Sequence, residues 1–323
     1  MAEGNTAFGT DGIVATTLQN YAKSLPDQVF KRTVLLHLLG GQGNAGEGQA
    51  RYSFPSQTGR SIVQPLLYGD QAAVGSFDDD DIFDAPSRGG ITAAEYPWKH
   101  MYGSVFFTGE EMAVNSGPEA AVSLLKARLS QVERTMAKAL NAMLFGDGTG
   151  NSSKDLQGLA ILIDNAGTLG GIDRSDALNA WWDASETALG TALTLAAMRA
   201  KYNDLVDGVE KPSHIITTQA VFEQYEALME DTIRHEDTDL GDMGFDSLMF
   251  KSTPVVFDRD CQSGVAYFLN LDYIELVTLA GEWFKPSGWL VPVNQDGMYK
   301  NIILRGNLTQ TNGSLQGKIT TIS

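Results

Sequence analysis

Residues 118–145 read PEAAVSLLKARLSQVERTMAKALNAMLF, and the rest of the chain is organised around this stretch. Apolar residues at Val122, Leu125, Leu129, Val132, Met136, Ala139 and Met143 recur in alternating steps of three and four. That spacing sets them on one stripe of an α-helix. Glu119, Lys126, Arg128, Glu133, Arg134 and Lys138 belong to the other face. Ser116-Gly117-Pro118 signals the start, because proline at the first helical position gives up an N–H that would have no partner there, and Glu119 suits the positive end of the helix dipole. Gly146 supplies the stop. About 28 residues rising 1.5 Å each predict a rod of roughly 42 Å, enough to cross a whole domain. The run covers only about four heptads without regular charge pairing beside the seam, so packing onto a sheet is expected rather than a coiled coil.

The chain has 323 residues, of which 43% are hydrophobic and 20% charged, a composition that suits a globular fold of two or three sub-domains. No apolar run approaches the ~18 residues of a membrane helix, and the opening MAEGNTAFGT lacks the basic start and apolar core of a signal peptide. Manufacture and use in the cytoplasm, with no membrane partner, is the expectation. One cysteine, Cys261, excludes an internal disulfide, and with four scattered histidines it excludes a cysteine-type zinc site. No base is identifiable that would make Cys261 a nucleophile. With 23 basic against 40 acidic residues the net charge is −17, which argues against a surface that binds nucleic acid by neutralising phosphates. Lys31-Arg32 and Lys99-His100 are too short to build a basic patch.

Residues 1–47 read as an arm of weak helical content, with faces at Ile13, Val14, Thr17, Leu18 and Tyr21 and again from Val29 to Leu39. Such an arm docks either on its own chain or on a neighbouring one. In residues 48–112 the period shifts toward two, predicting an extended hairpin. Arg51–Pro55 and Ser61–Tyr68 are its outgoing strands and Trp98–Thr108 the returning one. Its tip carries Phe77, Asp78, Asp79, Asp80, Asp81 and Phe83, then Arg88. Four aspartates suggest calcium, yet the run lacks the spaced ligands and central glycine of a calcium loop, and adjacent side chains of extended chain point to opposite sides. A solvated, mutually repulsive tip is the simpler expectation.

Beyond the helix, the glycines of 146–153 follow a helix rather than precede one, and Lys154 is out of register for a phosphate-binding loop. They predict a turn into a strand at 156–163. A second helix is expected over Ala188–Val206, a buried strand at Ser213–Thr218 and a third helix at Gln219–Met229. His235, Asp237, Asp239 and Asp242 form the one constellation that could serve a metal-dependent hydrolase, although an acidic connection with Gly241 and Gly244 is also what an exposed loop looks like. The remainder returns to strands at 253–257, 265–269, 273–277 and 299–305, continuing through 306–322, which must pair with something earlier. An α+β fold follows, with the tail folding back beneath the long helix.

This order of elements resembles the major capsid proteins of tailed bacteriophages, whose fold also forms the floor of herpesvirus shells. Local phrases add to the likeness: Asn141-Ala-Met-Leu-Phe-Gly-Asp-Gly at the helix exit, Leu156-Gln-Gly-Leu, Gly170-Gly-Ile-Asp-Arg-Ser175 before Trp181-Trp182, and Tyr267-Phe-Leu-Asn270. The resemblance implies an N-terminal arm over 1–47 and an extended loop over 48–112. It implies a peripheral domain over 113–187 containing a spine helix at 118–145, an axial α/β domain over 188–272, and strands of 273–323 returning to the peripheral domain. By the same likeness the chain is no enzyme and needs no cofactor. Its copies would form pentamers and hexamers of an icosahedral head around double-stranded DNA, in the virion. The assembly residues would be the spine-helix core face at Val122, Leu125, Leu129, Val132, Met136 and Met143, and the loop residues Phe77 to Asp81, Phe83 and Arg88. A portal protein, a separate scaffolding protein and a decoration protein are the other implied partners, the separate scaffold because the chain reaches its arm almost at once. Some members cross-link through a lysine on the extended loop; none lies between Lys31 and Lys99, so that linkage is not expected. A calcium-binding surface protein using Asp78 to Asp81 and a hydrolase using the His235 loop are the competing readings.

Leu129→Pro would remove a backbone hydrogen bond and clash in the helix interior, at a cost of about 3 kcal/mol or more. The expected outcome is loss of soluble folded protein, read by circular dichroism and thermal melting; melting like the wild type would count against the helix.

Overall fold

The computed structural model describes residues 33–40, 54–69, 76, 78–79, 90–114, 124–229 and 247–323, with backbone alone at 114, 124–126 and 247. Helix Val34–Gly40 comes first, then strands β1 (Ser56–Gln57), β2 (Ser61–Leu67), β3 (Ile91–Pro97) and β4 (Lys99–Thr108), and the long helix Leu124–Leu144. After it come β5 (Thr168–Leu169), β6 (Ile172–Asp173), β7 (Ser185–Ala188), helix Leu195–Asp204, β8 (His214–Thr217) and helix Gln219–Met229. The last third is almost all strand: β9 (Ser247–Phe250), β10 (Thr253–Phe257), β11 (Ala266–Leu269), β12 (Ile274–Leu279), β13 (Lys285–Pro286), β14 (Gly297–Gln310) and β15 (Gly317–Thr320).

Two sheets result. The first runs β1-β12-β14-β13, with β4 also paired to β14, and the second runs β7-β15-β11-β8-β10-β9. Strands β8, β10 and β11 are buried almost throughout, without alternation, because both faces of the second sheet are covered. Ile216, Val256 and Tyr267 enter a core shared with the long helix, whereas Ile215, Val255 and Phe268 enter a second core under helices 195–204 and 219–229. Each fully buried side chain of this size contributes about 1.5–3 kcal/mol. Leu35 and Leu36 of helix 34–40 sit in the first core, so this part of the arm docks on its own chain. The remaining arm residues, 1–32 and 41–47, lie outside the described residues.

Several expectations change. Residues 99–108 are not the returning arm of the hairpin: β2 pairs with β3, Ser61 opposite Pro97, while β4 pairs with β14 over ten residues from Thr108–Gly297 to Lys99–Gly306. Pro97 lacks an N–H and ends the shorter ladder, and the alternation that continues beyond it finds a longer partner. The expected strand at 156–163 is instead a helical turn, Leu159–Leu162. So short an apolar run carries no period to separate the two. Arg174 holds this turn, donating to the carbonyls of Ile161 (2.9 Å), Leu162 (3.0 Å) and Asp164 (2.8 Å).

The second helix begins at Leu195 rather than Ala188, because Thr194 caps it by accepting from the N–H of Ala197 (3.2 Å) and residues 185–188 pair in parallel with β15. Strand β15 therefore joins the second sheet, and only β12, β13 and β14 of residues 273–323 lie in the first.

The long helix is described from Leu124 to Leu144, and its buried line runs Met136, Leu140 and Leu144, continuing to Phe145. The expected stripe is displaced: Leu129, Val132, Ala139 and Met143 are half-buried, Val122 lies outside the described residues, and of Leu125 only the backbone is described. An untwisted helix drifts about 20° per heptad from a 3.5-residue repeat, so the core face passes from Leu129 and Val132 to Leu140 and Leu144.

Gly158 is pressed against the helix exit, where an added Cβ would stand 2.4–2.6 Å from the carbonyl oxygens of Met143, Gly146 and Leu144. Gly158→Ala is expected to destabilise the chain by about 1–3 kcal/mol or more. The denaturation midpoint measures it, and a change below about 0.5 kcal/mol would refute the tight packing of this corner.

Candidate assembly surfaces

Hairpin β2–β3 has two unlike faces. Ile62, Leu66, Ala94 and Tyr96 are buried, and Gln64 Nε2 donates to Thr309 Oγ1 (3.2 Å) while the Tyr96 hydroxyl donates to the Gln310 carbonyl (3.1 Å). At the hairpin's far end Tyr68 stacks on Trp181 with ring centres 4.8 Å apart. This anchored face clamps the hairpin over the 307–310 end of β14. The opposite face is apolar and in water, with Val63 49%, Leu67 80% and Ile91 78% exposed. A two-stranded ribbon gains nothing by itself from such a face.

Of the expected loop residues, Asp78 and Asp79 are described and exposed, and the Asp79 N–H donates to the Asp78 carboxylate (2.9 Å). Phe77, Asp80, Asp81, Phe83 and Arg88 lie outside the described residues.

Helix 124–144 lies across β4, and Gly103 permits it: a Cβ there would be 2.6 Å from Met136 Sδ and from Val132 Cγ1. Leu129 and Val132 pack against Val105 and Phe107. Arg128, expected on the solvent face, instead reaches sideways. Its two Nη atoms pair with both carboxylate oxygens of Glu111, one contact being 3.0 Å; Nη1 also donates to the Phe106 carbonyl (3.0 Å), and the guanidinium lies 5.2 Å from the Phe107 ring centre. Burial pushes the Glu111 carboxyl up, but the Arg128 hydrogen bonds, the Thr108 N–H and the Arg128 charge outweigh it and hold it below the usual glutamate range. No pattern along the helix announces this fork, because its partner lies 17 residues upstream.

Among the described residues, the hairpin meets the outer side of the first sheet, away from the helix, near 307–310. Toward the other end Tyr102 is 75% exposed, opposite Ile303, and half-exposed Phe106 stands opposite Tyr299. The 290–293 segment beside it exposes Leu290, Val291 and Val293. Sequence reasoning missed this surface, since an alternating strand with one wet face looks the same whether water or another protein covers it.

His235, Asp237, Asp239 and Asp242 lie outside the described residues. Among the described residues no group of three or more His, Cys, Asp or Glu side chains is placed to hold a metal ion. Cys261 is buried, and burial pushes its thiol up, away from the thiolate that nucleophilic chemistry requires. No helix among the described residues is long and apolar enough to cross a membrane.

No family model and no curated protein matches the sequence. Solved structures do match its fold. A chain of the cyanophage A-1(L) capsid asymmetric unit superposes with a TM-score of 0.72 at 18% identity, covering 93% of this chain and 96% of that one. The capsid of a native GTA particle gives 0.59 at 9% identity, covering 96% and 99%. The holo-SrpI encapsulin complex of Synechococcus elongatus gives 0.56 at 9% identity, covering 84% and 85%.

Removing the carboxylate partner of Arg128 tests the fork. Glu111→Gln is expected to cost about 1–3 kcal/mol at neutral pH. A depressed folded pKa makes the wild-type advantage full above the value of an exposed glutamate, and it is lost as pH falls through Glu111's own lower value. Thermal unfolding of both proteins from neutral pH into this acid window measures it; a constant difference would show that charge is not the cause.

Proposed function

We propose that this chain is the structural subunit of an icosahedral bacteriophage head, assembling into pentamers and hexamers that enclose double-stranded DNA. The observation that carries the reading is the end-to-end likeness in fold to the cyanophage capsid chain, with nearly the whole of both chains aligned. The described surfaces support it. An apolar hairpin face and an open aromatic sheet end on one chain suit a head-to-tail contact between copies, and such a contact closes into rings when its rotation permits.

In this reading the hairpin lies over an adjacent subunit, and the acidic tip around Asp78 and Asp79 keeps unpaired tips apart until they meet that neighbour. The spine helix acts indirectly. Its described apolar side chains, Leu129, Val132, Met136, Leu140 and Leu144, are spent on the chain's own cores, so that part of the helix contributes stiffness to the subunit rather than a contact surface. The division into arm, extended loop, peripheral domain and axial domain belongs to the same proposal. Its loop is best drawn from 61 to 97, since residues 99–108 pair in the first sheet. A net charge of −17 suits a wall that does not adhere to packaged DNA. Portal, scaffolding and decoration proteins are the further partners, the head assembles in the host cytoplasm, and the role is structural rather than enzymatic.

The experiment is the native mass and negative-stain image of the full chain, beside a variant lacking residues 76–86 and a Leu67→Glu, Ile91→Glu double variant. Closed shells, tubes or discrete pentamers and hexamers are expected of the wild type. Both variants should melt like the wild type and assemble poorly. A persistent monomer of the wild type would overturn the reading, and unfolding of the deletion variant would show that the loop belongs to the core.

A further inference from the structure

Strand β4 is paired along one edge. Among the described residues its single strand partner is β14. Just past its end the Gly109 N–H donates to the Asp296 carbonyl across the ladder (3.2 Å), so odd-numbered residues turn their backbone groups toward β14 and even-numbered ones away from it. At the 106–108 end of that outer edge the chain supplies its own partners. Arg128 donates to the Phe106 carbonyl (3.0 Å), and the Thr108 N–H donates to the Glu111 carboxylate (3.2 Å). Among the described residues no strand meets the outward N–H and C=O groups of Tyr102 and Ser104. Such an edge is a template for pairing.

A groove of about 480 Å³ runs beside these groups. Residues 101–106 of β4 form one wall, and Arg128, Gln131, Val132, Thr135, Met136 and Ala139 of the long helix form the other. Ala139 stands roughly 16 Å along the helix from Arg128, and residue 106 stands roughly 17 Å along the strand from residue 101, so the walls match in length. The groove therefore suits an extended segment, with backbone groups to bond on one side and half-buried Val132 and Ala139 to cover on the other. The fork of Arg128 and Glu111 closes one end, and the other opens toward Ala139.

Where the described chain begins identifies an occupant. Asn141, two positions past Ala139, donates to Asp258, whose carboxylate also accepts the N–H of Leu35. Thr33 thus lies beside the open end of the groove, within about the 10–12 Å width of the long helix. Residues 1–32, outside the described residues, precede it. They include Ile13-Val-Ala-Thr-Thr-Leu18, a run without charge or proline in which four of six residues are β-branched, the composition that favours a strand. About fifteen residues join this run to Thr33 and span up to roughly 50 Å when extended, ample for the distance.

We propose that the groove between β4 and the long helix seats the chain's own N-terminal segment, with residues 13–18 added as a strand to the free edge at Tyr102 and Ser104. The same residues also spell a helical face, but a helix bonds its own backbone and would leave those groups of β4 unanswered. Docking within one chain does not depend on the shell reading, and the occupant here is the segment whose exit lies at the groove.

Hydrogen exchange of the full chain at single-residue resolution, on the dissociated subunit and on any assembly it forms, tests this. In the wild-type subunit the Tyr102 and Ser104 amides are expected to exchange about ten-fold or more slowly than in an Ile13→Asp, Val14→Asp, Leu18→Asp variant. Gly103 and Val105, which bond to β14, should be equally protected in both. Free exchange of Tyr102 and Ser104 in the wild-type subunit would overturn the proposal. So would protection that appears only on assembly, which would assign the groove to a neighbouring copy, and protection that the triple variant leaves unchanged. Val14→Asp alone replaces the triple variant if the latter does not fold. A chain that never assembles would count against the shell and not against this docking, because the measurement is made on the subunit.

Discussion

Backbone pairing along β14 is the constraint on which the rest of the structure depends. Its residues 297–306 pair with β4, residues 306–310 with β12, and residues 302–303 with β13. Some two hundred residues separate β4 from β14, yet closing so long a loop costs only about 0.6 kcal/mol more per doubling of its length. Ten consecutive ladder pairs outweigh that, and they form the floor on which the long helix lies. Gly103 then sets the depth of the helix, and Arg128 sets its position along the strand through Glu111. Misplacing β14 would leave β4 and the Met136 side of the helix without a partner.

The second sheet solves a different problem. With a core on each face, its strands carry no alternation, and its long helical neighbour covers one side while two short helices cover the other. Such a block resists deformation because interiors pack as densely as organic crystals. The hairpin that leaves the first sheet is the opposite case, with one face clamped by Gln64 and Tyr96 and the other apolar and wet. A stiff body joined to an incomplete, outward-facing element is what a subunit needs if completion comes from copies of itself. The Asn141 contacts with Asp258 and Asp260 join the end of the long helix to the turn after β10, with polar groups in place of apolar ones.

Local patterns explain which parts of this were legible in the sequence. The long helix was readable because its period repeats over many turns, as was helix 219–229, and strands 253–257 and 266–269 were readable because β-branched and aromatic residues cluster between turns. Short segments were not. Leu159–Leu162 has too few residues for a period, and residues 99–108 alternate as well for one partner as for another. The open end of the first sheet escaped notice for the same reason, since the exposure of Tyr102 and Phe106 is a property of what fails to cover them.

By itself the sequence determined the helix and most strands, the absence of a disulfide, the acidic balance, and an order of elements like that of a phage shell protein. These depend on interactions between near neighbours and on composition. Tertiary structure alone decided which strand pairs with which, which side of the long helix is buried, and that β15 ends in the second sheet. It also decided that Glu111 meets Arg128 and that Asp258 and Asp260 meet Asn141. Such choices turn on packing and desolvation between residues tens to hundreds of positions apart, and a linear pattern carries no record of which distant face will be left to cover.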